Sequence, residues 1–226
     1  MRWLTKREKR WNAYLGEVQG VAVLEVTDPP FSLKKYRDLH VNLAYRAFEN
    51  CRMVALSQWI DEDQGWDIKD RHAYVATLQD KFSVRAGLTA DFDDSRIPEP
   101  TNGAYVVHVL GEPTRPLLDE IREFGRTSLS IFAYGVENAP EPWPEKVLSW
   151  NKAFVRWFRL VESDEILVRL LEQVGLLFWT ADGHLWLALS ESRKMDRMLE
   201  AIEGLAEEWH LRLVLEPQVS MSERVR

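Results

Sequence analysis

Gly175-Leu-Leu-Phe-Trp-Thr-Ala-Asp-Gly-His-Leu-Trp-Leu-Ala-Leu-Ser190 is apolar almost throughout, with one polar break at its centre. Two apolar runs meet at Asp182-Gly183, a dipeptide suited to a two-residue turn with both central residues at positive φ. That turn predicts a hairpin and sets its register. Ala181 faces His184, Trp179 faces Trp186, Phe178 faces Leu187 and Leu176 faces Leu189. One side of the ribbon then carries Leu177, Trp179, Ala181, Trp186 and Ala188, and the other carries Leu176, Phe178, Leu185, Leu187 and Leu189. Neither side is polar, so the ribbon needs cover on both and belongs in the middle of a sheet.

The flanking residues supply that cover. Ser163 is a plausible cap for a helix in which Ile166, Leu167, Leu170, Leu171 and Val174 recur at helical spacing up to Gly175, a good stop. After the hairpin, Met195, Met198, Leu199, Ile202, Leu205, Ala206 and Trp209 form one apolar stripe, with acidic and basic residues around the rest. Leu211 to Glu216 reads as a strand stopped by Pro217. The expected fold is therefore α+β, a sheet centred on a hairpin at 176–189 with helices packed on both faces.

Composition narrows the class. The chain has 226 residues, of which 46% are hydrophobic and ten are tryptophan. No run approaches the roughly 20 apolar residues of a membrane helix, and no apolar core follows the basic N-terminus as in a secretory signal. The single cysteine excludes an internal disulfide framework, so a reducing, cytoplasmic setting is expected. A formal charge of −7 argues against a protein that coats nucleic acid with its whole surface. The charge is uneven, however: Met1–Arg10 holds five bases against Glu8, and Asp61–Pro100 holds ten acids against five bases.

Along the rest of the chain, residues 2–15 suggest a short basic helix and Val21–Thr27 a strand closed by Asp28-Pro-Pro30. A long core helix is expected from Ser32 to about Ile60, and residues 61–103 are irregular apart from a helix near 70–86. Strand, helix and strand follow at 104–110, 116–124 and 128–134, with spacing that allows a parallel crossover. A proline-rich loop, 137–144, delivers Trp143 to a helix bearing Trp150, Phe154, Trp157 and Phe158. The organisation expected is a helix-rich lobe at 1–100, an α/β lobe at 101–216 and a disordered tail at 217–226, or one compact domain.

Short catalytic motifs are missing: there is no GxSxG, HExxH or Walker lysine. Cys51 and His40 share a helical face but stand 11 residues apart, about 16 Å along a helix, too far to act together. No catalytic residue and no cofactor is assigned. The leading expectation is a non-catalytic protein that binds a macromolecular partner, as an adaptor, inhibitor or immunity-type protein would. Its candidate contacts are Trp66, Trp143 and Arg115, residue types enriched where interfaces concentrate their energy. One alternative is an enzyme acting on a nucleotide or phosphate ester, with Asp91, Asp93 and Asp94 around a divalent cation and Arg115 on the phosphate. The acids do not match an EF-hand, since Arg96 stands where glycine is needed. The other alternative is nucleic-acid binding through Arg2, Lys6, Arg7, Lys9 and Arg10, joined by Lys152, Arg156 and Arg159.

Overall fold

A computed structural model describes residues 10–27, 42–60, 68–91, 104–124, 128–159, 163–181, 184–190 and 212–217, together with 196, 199, 200, 203, 204, 207 and 208. Its strands are β1 (Arg10–Val18), β2 (Val21–Thr27), β3 (Met53–Ile60), β4 (Arg85–Asp91), β5 (Ala104–Gly111), β6 (Ser128–Val136), β7 (Leu176–Ala181), β8 (His184–Leu189) and β9 (Arg212–Pro217). Its helices are α1 (Ile68–Phe82), α2 (Arg115–Phe124), α3 (Glu145–Phe158) and α4 (Asp164–Val174), and residues 42–48 are also helical.

All of these strands join one sheet in the order β4-β5-β3-β6-β7-β8-β2-β1-β9. The hairpin β7–β8 lies at its middle, paired Leu176↔Leu189, Phe178↔Leu187, Trp179↔Trp186 and Ala181↔His184. This is the register a two-residue turn at Asp182-Gly183 imposes. Both sides of the hairpin are buried at its described side chains. Leu176, Phe178, Leu187 and Leu189 pack with Leu43 and Phe48 of the 42–48 segment, Val75 and Leu78 of α1, and Leu117 and Leu118 of α2. Leu177, Trp179, Trp186 and Ala188 pack with Val147, Trp150, Phe154 and Trp157 of α3 and Leu167, Leu170, Leu171 and Val174 of α4. Four tryptophans, Trp150, Trp157, Trp179 and Trp186, are thus core mass on one side.

Residues 53–136 form a β3-α1-β4-β5-α2-β6 unit with sheet order β4-β5-β3-β6 and both helices on one face, the split βαβ arrangement. Here the expected crossover changes. β5 and β6 are each antiparallel to β3, so they run the same way but with β3 inserted between them. The N-terminal part also differs from a helix-rich lobe. Four of the nine strands lie before residue 92 and interleave with later ones, β3 between β5 and β6 and β2 against β8.

Local chemistry accounts for two of the differences. Gln19 (φ 48°) and Gly20 (φ 86°) adopt the positive φ pair of a tight hairpin turn, which folds Arg10–Val18 back along β2 as a strand instead of the expected helix. The long helix expected over 32–60 ends by residue 48, where Cys51 N–H donates to Phe48 O at 2.9 Å, and Met53–Ile60 follows as β3. Val54 and Leu56 face one core and Ala55 the other. A run apolar in both directions satisfies helical and strand spacing alike. The part of that helix between residues 32 and 41, with His40, lies outside the described residues, as does the expected tail beyond Pro217.

Candidate functional site

Of the polar features among the described residues, two have the makings of a site. The first is a buried relay across three strands. Ser57 on β3 and Gly87 on β4 both stand opposite His108 on β5. Ser57 Oγ lies 3.0 Å from His108 Nδ1 and Thr89 Oγ1 lies 2.8 Å from Nε2. Whichever ring nitrogen carries the proton, one hydroxyl accepts from the ring and the other donates to it. His108 has no solvent exposure, and burial pushes its pKa down to about 3. Trp143 covers it edge-on with ring centroids 6.1 Å apart. A Cβ at Gly87 would press on Pro144 Cγ at 3.3 Å and touch the Trp143 indole nitrogen at an ordinary 3.6 Å. A serine and a histidine in hydrogen-bond contact resemble a nucleophile and its base. Sealed from solvent, this pair instead satisfies a core imidazole.

The second feature is open. A cleft of about 610 Å³ lies where the end of β6, the start of β7 and the end of β8 meet the 42–51 segment. Each wall has a local cause. Gly175 ends α4 at φ 66°, with its N–H on Leu171 O at 2.7 Å. Its carbonyl accepts both the N–H and the Oγ of Ser190 at 3.1 Å, which staples the two ends of the hairpin together. Trp150 Nε1 donates to Gln173 Oε1 at 3.2 Å and ties α3 to α4 along the rim. Ala47, Cys51, Val136, Val174, Leu176 and Leu189 supply apolar lining. Glu49, Glu137, Glu141 and Glu172 bring four carboxylates against two cations, Arg46 and Lys146. Arg46 pairs with Glu49 at 3.7 Å, and Arg85 reaches Glu141 from outside the cleft at 3.4 Å. Both pairs are solvent-exposed and therefore hold little energy.

Cys51 is half-buried in this lining, with its thiol against the backbone of Gly135. A Cβ at Gly135 would lie 2.6 Å from Cys51 Sγ but 3.4 Å from Leu176 Cβ, so the sulfur alone forbids it. Gly135→Ala is accordingly expected to destabilise the fold by about 1–3 kcal/mol. Cys51→Ala in the same chain should recover most of that loss. A double-mutant cycle by urea denaturation measures the coupling; independent, additive losses would show that the thiol does not occupy this position.

Comparison with protein-family models, curated proteins and solved structures yields no match.

Among the described residues, none of the contacts and ligands expected from sequence lines the cleft. Trp143 is half-buried over His108 and Gly87 with the Arg85 guanidinium 5.6 Å from its ring, a seat that gives it a packing role. Arg115 is exposed at the start of α2, where it donates to Asp119 and Asn42 at 3.3 Å and stacks on Tyr45 at 5.4 Å. Asp91 pairs in register with Ala104, whereas Arg115 follows Gly111 at the far end of β5. Seven residues of strand separate those ends, about 23 Å. The arrangement therefore does not bring Asp91 and Arg115 to one phosphate. Asp93, Asp94 and Trp66 lie outside the described residues. Among the described residues no three of His, Cys, Asp and Glu are grouped to hold a metal ion.

Of the basic set, three residues lie on α3 or at its C-terminal cap. Lys152 and Arg156 are half-buried on α3, and only Arg159 of the three is exposed. Arg10 begins β1, and Arg2, Lys6, Arg7 and Lys9 lie outside the described residues. No helix among the described residues is long and apolar enough to cross a membrane. The cleft itself escaped sequence reading because its carboxylates come from three separate segments, the turn at Glu49, the loop bearing Glu137 and Glu141, and α4 with Glu172. The one local signal was Gly175, which marks where a helix must stop at the mouth of the hairpin.

Proposed function

We propose that the protein is a non-catalytic, intracellular binder of a macromolecular partner, and that its cleft receives a basic segment of a partner protein. What carries this reading is the cleft's composition, an apolar lining beneath a rim with twice as many carboxylates as cations. Lysine and arginine side chains match it, since their aliphatic stems cover apolar surface while the charged ends meet the rim. The acidic overall balance of the chain, −7, favours approach of a cationic partner over an anionic one.

A fluorescently labelled peptide rich in lysine and arginine, with an acidic peptide of equal length as control, tests the proposal. The basic peptide should bind and weaken with added salt. Reversing two exposed rim charges together, Glu137→Lys and Glu172→Lys, should reduce its affinity by about tenfold or more with little change in thermal midpoint. Equal binding of the acidic peptide, or no effect of the reversals, would overturn it.

A further inference from the structure

β4 ends the sheet, and among the described residues its outer side pairs with no strand. The opposite edge, β9, includes Pro217, which lacks a ladder donor. β4 has no proline and no lysine, the devices that commonly blunt an exposed edge. Its sequence, Arg85-Ala-Gly-Leu-Thr-Ala-Asp91, is complementary to itself read backwards about Leu88.

We propose that β4 pairs antiparallel with β4 of a second copy of this chain, continuing the sheet across a two-fold axis at Leu88. In that register Ala86 stands opposite Ala90, Gly87 opposite Thr89, and Arg85 of each copy opposite Asp91 of the other. Small residues meet small ones, and the two opposite-charge pairs close the ends, as an isologous interface requires. Arg85 is half-exposed, and among the described residues it meets exposed Glu141 at 3.4 Å and lies 5.6 Å over the Trp143 ring, weak surface contacts that it can exchange. Besides the Arg85–Glu141 pair, the bond among the described residues that pairing displaces is the one that Gln79 Nε2 donates to the Ala86 carbonyl at 2.9 Å. Seven residues of edge bury much less than a standard interface, so the dimer is expected to dissociate in about the micromolar range or above.

Sedimentation velocity of the full chain, from micromolar to hundreds of micromolar, tests this. The wild type should pass from monomer to dimer. Arg85→Asp and Asp91→Arg, each placing like charges opposite one another, should weaken the dimer by roughly tenfold. The double charge swap, Arg85→Asp with Asp91→Arg, should restore it. Arg85→Ala, which adds no repulsion, should give an intermediate loss, and circular dichroism checks that each variant is folded. A monomer throughout the range, a dimer indifferent to Arg85→Asp, or a swap that does not restore association would each overturn the proposal.

Discussion

Phe154→Ala is expected to destabilise the protein by about 3–5 kcal/mol, a large part of the roughly 5–15 kcal/mol that holds a typical domain together. Phe154 is fully buried on α3 and touches four of the other aromatic rings on this side. Its centroid lies 5.7 Å from Phe132, 5.6 Å from Trp157, 5.9 Å from Phe158 and 5.3 Å from Trp179. Those neighbours belong to β6, to α3 itself and to the hairpin, so truncation opens a cavity where helix and sheet join. Rigid rings cannot collapse into it without leaving their rotamers. Urea denaturation followed by tryptophan emission gives the value directly. Glu165→Ala, on the exposed side of α4 and paired only with exposed Arg169, is the control, expected to stay within about 0.5 kcal/mol. A Phe154→Ala loss below about 1 kcal/mol would mean that α3 is not seated on the hairpin in this way.

The second large effect is the share of the pH dependence that belongs to His108. His108 takes up its proton only near pH 3 in the folded chain, because burial disfavours the imidazolium, whereas in the unfolded chain it does so near its ordinary 6.5. Between those values the unfolded state holds one more proton. His108 therefore costs nothing above pH 6.5, and stability falls by about 1.4 kcal/mol for each unit the pH drops below it, down to about 3. At pH 4.5 the loss is about 2.7 kcal/mol. His108→Gln keeps an acceptor and a donor but does not titrate. The variant should be less stable than wild type at pH 7, where the hydrogen bonds to Ser57 and Thr89 are compromised. By pH 4.5 the gap should have closed by about 2–3 kcal/mol. A gap that is equal at both pH values would contradict a buried neutral imidazole.

His108 also shows how far the sequence could be read. The strand at 104–110 was legible, and a histidine inside so apolar a run needs partners. That Ser57 and Thr89 supply them was not legible, because both come from strands that pair with β5 only through long-range contacts. The hairpin was legible in register and in both faces, since a two-residue turn and unbroken apolar runs leave no second solution. Helices α3 and α4 were legible from spacing alone. The strands before residue 92 were harder. Arg10–Val18 looked helical because its basic neighbours mask the alternation, and the cue that mattered was the turn at Gln19-Gly20. Met53–Ile60 was absorbed into a helix because its two faces are both apolar. The cleft was invisible for the same reason, being made by where separate segments end rather than by any one of them.

The most direct test of the central claim, that one sheet built around the 176–189 hairpin joins the early strands to the late ones, is a nuclear Overhauser spectrum across β2 and β8. Six register pairs from Ala22↔Leu189 to Thr27↔His184 define that junction. Hα–Hα cross-peaks at alternate pairs along it, such as one of Val23↔Ala188 and Leu24↔Leu187, are the expected result. Their absence, with the Leu185–Leu189 amides exchanging as fast as surface groups, would show the hairpin to be an edge and contradict the account.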